Sequence, residues 1–181
     1  MELTLIKGLR SLNRWIAIIV GIGLLGVAAF VVLDIIMRQF GRSFGGTEEI
    51  AGYAMALATA WGMSFALLEL GHVRIDLIRT RTGTFAKALF DVFAMIVMSG
   101  VVVMIAVKAW PVVARAITNG SRANTPLETP LIWVQAPWFA GWVWFAIMSC
   151  LVTLCALSLV LKGRHGETEP FVGAFAEQDR L

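Results

Sequence analysis

The stretch ELGHVRIDLI, Glu69 to Ile78, places Glu69, His72, Arg74 and Asp76 within eight residues of an otherwise apolar neighbourhood. Glu, His and Asp are the side chains of acid–base catalysis and metal ligation. His72 and Asp76 are four apart, so they can pair, hold a neighbouring loop or form a proton relay. A reaction centre in a membrane needs such groups gathered at depth. The chain has two histidines, His72 and His165, and both lie outside its apolar runs. Gly71 fits the C-terminal stop of the preceding helix, which sets His72 and Asp76 at the membrane surface. That placement weakens the catalytic reading.

The elements around this stretch follow from composition. Hydrophobic residues make up 59% of the 181 residues and charged residues 15%. A soluble domain is nearer half apolar and a quarter charged, so lipid is the expected solvent. The net charge is +3, and no basic patch interleaves with exposed aromatics, which argues against a nucleic-acid partner. Cys150 and Cys155 fall five apart inside one apolar run. That spacing suits neither a redox motif nor a zinc site, so both read as small apolar fillers. No metal and no cofactor is expected.

Charged residues divide the chain into four runs. None occurs over Trp15–Leu33 or Ile50–Leu68, 19 residues each, over the 16 of Val92–Val107, or over the 33 of Thr129–Leu161. Nineteen helical residues rise about 28 Å, close to the hydrocarbon thickness of a bilayer. The reading is an all-α integral membrane protein with transmembrane helices near 15–37, 49–70, 85–110 and 137–161. Residues 1–165 form one membrane domain, and 166–181 a polar cytoplasmic tail in which Phe171 and Phe175 can dock weakly. The first run is too long for a signal peptide and lacks a clear cleavage site, so it should stay as an anchor.

Four spans put both termini and the middle loop on one side. Lys7, Arg10, Arg14, Arg74, Arg79, Arg81, Lys87, Lys162 and Arg164 lie there, nine in all. The other side carries five: Arg38, Arg42, Lys108, Arg115 and Arg122. By the positive-inside rule both termini are cytoplasmic.

Leu5, Leu9, Leu12 and Ile16 form an apolar stripe opposite Lys7, Arg10 and Arg14. This predicts an N-terminal amphipathic helix lying in the interface, although a plain extension of the first span fits the same residues. Trp15, Trp133, Trp138 and Trp142, with Trp144, are placed to anchor the chain at the membrane–water interfaces. Asp34 and Arg38 can pair along the first helix. Thr47 can cap the second, with Glu48 and Glu49 in its first turn, where the helix dipole favours negative charge. Gly52, Ala56, Ala60 and Ser64 make one small stripe on the second span, and Ala54, Ala58, Gly62 and Ala66 make another. Small residues let helices approach closely in lipid, so this span is expected to pack on two sides. The third span can run past Pro111 with a kink, and 119–136 reads as an outer loop.

No span centre carries a charge, although an ion-coupled carrier usually needs one despite a cost of about 2.5–3.5 kcal/mol. No span is broken mid-membrane as at a substrate site. The chain reads as a partner of other membrane proteins rather than as a carrier or an enzyme.

The set Arg38, Glu48-Glu49, Trp61-Gly62 and Gly71-His72-Val73-Arg74-Ile75-Asp76 resembles the signature of the small, DctQ-like membrane subunit of tripartite ATP-independent periplasmic (TRAP) transporters. Length and span number match over roughly residues 10–165. The chain departs at Gly46-Thr47, where the family often has a Trp before the Glu pair. The resemblance implies a bacterial inner-membrane protein and two partners. One is a large membrane subunit that moves the solute with sodium. The other is a periplasmic protein that captures an acidic solute, often a carboxylate. The small subunit would pack on the large one as a scaffold and help to dock the binding protein. Arg38, Glu48, Glu49, Gly52, Ala56, Trp61, Gly62, His72 and Asp76 are the candidate interface residues. An anchor subunit of an unrelated redox complex and a small multidrug exporter are the competing classes.

Overall fold

The structure is a computed structural model that describes residues 2–72, 82–164 and 172. It contains four helices: α1 Glu2–Gln39, α2 Thr47–Leu68, α3 Thr84–Asn119 and α4 Ile132–Leu161. All four are long and apolar enough to cross a membrane. Large apolar side chains stay uncovered along α1, such as Ile19, Ile22 and Leu25, the last 72% exposed. Water would penalise that surface heavily, whereas lipid or another apolar helix does not. The chain is an all-α membrane protein.

The expected separate interfacial helix is absent, because α1 runs unbroken from Glu2. Its first turns turn a different face inward from the leucine stripe. Leu5 and Leu12 are exposed, whereas Ile6 and Asn13 are buried. Ile6, Leu9 and Asn13, spaced by three and four, form the packed stripe. At the other end of the chain, Val172 is buried and belongs to the same apolar core as Leu67, Val92 and Phe145. Phe171 and Phe175 lie outside the described residues.

The helices pack in the order α1, α2, α4, α3: α1 lies mainly on α2, α2 on α4, and α4 on α3. Gly141 makes the α2–α4 approach possible. A Cβ there would sit 2.9 Å from the Ala60 Cβ and 3.1 Å from its backbone carbon. Between α3 and α4 the hydroxyls of Ser99 and Thr153 meet at 2.7 Å inside the core.

Pro111 and Pro137 both sit inside helices, the first as expected. The third helix continues past Pro111 to Asn119. The fourth begins at Ile132 rather than near 137. Pro137 is the sixth residue of α4, past the unpaired N–H groups of the first turn, so it removes one i→i−4 hydrogen bond from the helix. The α3–α4 loop is correspondingly short. Its ends are tied by Leu131 N–H to the Ser121 carbonyl and Ala123 N–H to the Thr129 carbonyl, both 2.9 Å.

Candidate functional site

The α1–α2 turn and the α3–α4 loop lie together at one end of the molecule, the loop end. Asp34 stands one turn before the end of α1 and is 1% exposed. Its Oδ2 accepts hydrogen bonds from Arg38 Nε at 2.8 Å and Thr47 Oγ1 at 2.9 Å. Its Oδ1 accepts from Ser43 Oγ at 3.0 Å and the Phe44 backbone N–H at 2.7 Å. One carboxylate thus joins the last turn of α1, the connecting turn and the first residue of α2. The expected Asp34–Arg38 pair is present. Arg38 also donates to Thr47 Oγ1 at 3.3 Å.

Thr47 is not the cap of α2. The cap position is Gly46, in the left-handed region at φ 68°, with no side-chain cap hydrogen bond. Asp34 occupies the Thr47 hydroxyl instead, and Gly46 is also the point at which Leu127 of the α3–α4 loop closes onto the turn. Glu48 and Glu49 do fall in the first turn of α2. Their environments differ. The Glu48 side chain is 91% exposed and reaches to 4.0 Å from Arg38, itself 47% exposed. Glu49 is half-buried and accepts a hydrogen bond from Tyr53 one turn on. A cavity of about 570 Å3 opens between these elements, lined by Arg38, Thr47, Glu48, Glu49, Tyr53 and Thr125.

Deeper in the molecule lies a second polar cluster, which the sequence reading missed. Asn13 is fully buried. Its Oδ1 accepts from Ser64 Oγ at 2.6 Å and from Trp144 Nε1 at 3.1 Å. Its Nδ2 donates to the Leu9 carbonyl at 2.9 Å. The cluster ties α1, α2 and α4 together with no net charge. A signal was available in the Ile6, Leu9, Asn13 spacing, which puts the amide on an apolar face.

The two small stripes of α2 divide unevenly. Ala60 and Ser64 are buried inside the chain, Ala56 is half-buried and Gly52 is exposed. A Cβ at Gly52 or Gly62 would meet nothing within 4 Å. The tight contact falls at Gly141 and Ala60, and the Gly62 position is open. Trp61 Nε1 donates to the Pro137 carbonyl at 3.0 Å, joining α2 to the start of α4.

At the opposite end, Arg10 Nε and Nη2 donate to the Leu68 carbonyl at 3.2 and 2.7 Å. This guanidinium neutralises the negative end of the α2 dipole. Glu69 lies 3.5 Å from it. The left-handed residue that ends the helix is Leu70, φ 56°, rather than Gly71. Gly71 N–H closes the turn on the Ala66 carbonyl at 2.7 Å. The His72 ring stacks on Phe145, with centroids 6.2 Å apart and planes at 17°. Asp76 and Arg74 lie outside the described residues, and with them the expected His72–Asp76 pair.

The basic and aromatic anchors separate in the same way. Lys7, Arg14, Trp15 and Trp133 are exposed, Trp15 by 64% and Trp133 by 76%. Trp138 and Trp142 are half-buried and meet edge to face, and Trp142 continues onto Phe145. Cys150 and Cys155 are free thiols within α4.

These features give a membrane protein whose described helices hold polar clusters inside the chain and present charge at both ends. A family model for tripartite ATP-independent periplasmic transporters, DctQ component, matches residues 27–163. The chain belongs to the DctQ family. No curated protein and no solved structure matches it. DctQ proteins are transporter components, so this chain is the small membrane subunit of a TRAP transporter. The matched span includes Asp34, Arg38, the Glu pair and His72, and begins after Asn13.

Proposed function

We propose that this DctQ subunit is the non-transporting scaffold of a sodium-coupled, binding-protein-dependent importer of an organic acid such as a carboxylate. It packs on the large membrane subunit and helps to dock the periplasmic solute-binding protein. The termini lie in the cytoplasm, so the loop end faces the periplasm. Residues 1–165 act as one membrane domain, followed by a short cytoplasmic tail.

The observation that carries this reading is the division of polar groups. Asn13, Ser64, Ser99 and Thr153 are buried and bonded within the chain. None of these contacts leaves a charged group facing a path through the membrane. Charge is exposed at the two ends instead, on Arg38 and Glu48 at the loop end and on Lys7 and Arg14 at the other. A carrier concentrates polar or ionisable groups along its path, whereas a docking subunit concentrates them on its rim. Glu48, Glu49 and Arg38 are assigned to the rim that meets the binding protein. The open α2 positions Gly52 and Gly62 and the uncovered face of α1 are assigned to the large subunit, with His72 and Asp76 as a structural corner.

Reconstitution tests this. Vesicles holding the small subunit with the large subunit and the binding protein should take up solute on a sodium gradient. Vesicles holding only the small subunit should take up none. Uptake by this chain alone would overturn the scaffold reading.

A further inference from the structure

We propose that Asp34 is the positioning residue for the docking rim: from inside the fold it sets where Arg38 and the first turn of α2 present their charges. The inference rests on the reading of the loop end as the docking face. Arg38 and Glu48 are exposed charges that face each other on the rim, where Arg42, Arg122 and Glu128 are exposed as well, and Arg38 is held from below rather than by the surface. Arg38 is fixed through Nε to Asp34 Oδ2 and through Nη2 to Thr47 Oγ1, and that hydroxyl is itself bonded to Asp34. Glu48 follows Thr47 directly, so the hydroxyl that Asp34 holds fixes the backbone from which Glu48 projects. The 4.0 Å between Arg38 and Glu48 is then a spacing imposed from below rather than a strong surface pair.

The two oxygens of Asp34 serve different elements, and this makes the idea separable from simple stability. Oδ1 holds the turn through Ser43 and Phe44, and Oδ2 holds the rim through Arg38 and Thr47. Asparagine has the same shape but one acceptor oxygen. With that oxygen on the Phe44 N–H, its NH2 group faces the Arg38 guanidinium, a donor it cannot hold, and meets the Thr47 hydroxyl only as a donor. The turn stays in place while Arg38 is released and the hold on Thr47 at the start of α2 is reversed in polarity. Charge arrangement at a rim governs encounter and register more than packing does, so docking should respond before assembly.

The test is a double-mutant cycle on the small–large complex in nanodiscs, reading the affinity of the binding protein and the thermal stability of the complex. Asp34→Asn is expected to assemble and to weaken docking about tenfold, the scale of a lost charge-assisted hydrogen bond. Glu48→Gln should also weaken docking. The double variant should be no weaker than the poorer single one, because Asp34 acts through Glu48 and its neighbours. In thermal stability the two changes should add. Thr47→Val, which removes the hydroxyl shared by Asp34 and Arg38, is a second route and should show the same coupling to Glu48→Gln. Independent, additive losses in docking for both Asp34→Asn and Thr47→Val would overturn the positioning role. So would an unchanged affinity in both while Glu48→Gln weakens docking. If Glu48→Gln and Arg38→Gln both leave the affinity unchanged, the docking reading itself fails, and the positioning role falls with it.

Discussion

The cluster around Asn13 and the corner around Asp34 both join α1 to α2 through buried polar groups, yet they are built differently. Around Asn13 every partner is neutral and belongs to a helix of this chain, and Ser64 is as fully buried as Asn13 itself. Around Asp34 the buried carboxylate holds charged Arg38, which is half in the open, next to a Glu48 that is almost wholly exposed. A neutral, closed cluster in apolar surroundings fixes which helices meet and at what height, and it offers a partner nothing. A buried charge that anchors exposed charges does the reverse. It holds a pattern that another protein can read. The same pair of helices is thus locked on one level and displayed on another.

The sharpest way to break this contrast is at Gly141. A leucine there must displace Ala60 and Trp61, and overpacking of this kind costs about 1–3 kcal/mol. Gly141→Leu should lower the unfolding temperature of the isolated subunit in detergent. Gly62→Leu, whose Cβ has no described atom of the chain within 4 Å, should lower it far less. It should instead impair co-purification with the large subunit. If Gly62→Leu leaves the complex and its uptake intact, that face of α2 is not an interface.

Next in size is Asn13→Leu, which leaves the Trp144 N–H without its acceptor. Orphaning a buried donor costs about 1–3 kcal/mol, and membrane measurements place such bonds nearer the lower figure. Thermal unfolding should show the loss, while binding-protein affinity per assembled complex stays unchanged. A drop in that affinity would mean that the cluster is not merely a lock.

At the corner opposite the loop end, the effects should be smaller. His72→Gln keeps a polar group beside Phe145 and should shift stability by less than about 1 kcal/mol. His72→Leu should cost more, because its polar contacts are lost. Uptake per assembled complex checks both. A fully assembled His72→Gln complex with no uptake would place this corner in the transport cycle.

What the sequence made legible was local. Four spans follow from the absence of charge over 19, 19, 16 and 33 residues. The Asp34–Arg38 pair is legible because its partners are four apart on one helix. The capping assignment to Thr47 failed for the complementary reason. Its hydroxyl is taken by a carboxylate 13 residues earlier, and nothing in the local pattern announces it. Asn13 bonds to residues 51 and 131 positions away, so its importance is a property of tertiary packing. Small residues on α2 marked close approach as a possibility at eight positions, but only the facing glycine decides where it happens. That glycine, Gly141, lies 81 residues from Ala60. The start of α4 lies five residues before Pro137, which the helix accommodates at the loss of one i→i−4 hydrogen bond.

One measurement bears most directly on the claim that the loop end is a docking face while the depth of the chain is a lock. It is the affinity of the binding protein for the assembled complex carrying Glu48→Lys, with the unfolding temperature of the same sample. Glu48 is exposed and remote from the packed seams, so the substitution should change stability by no more than about 0.5 kcal/mol. Reversing its charge beside Arg38 should weaken docking about tenfold, equivalent to about 1.4 kcal/mol. Unchanged affinity in a stable, assembled complex would contradict the account.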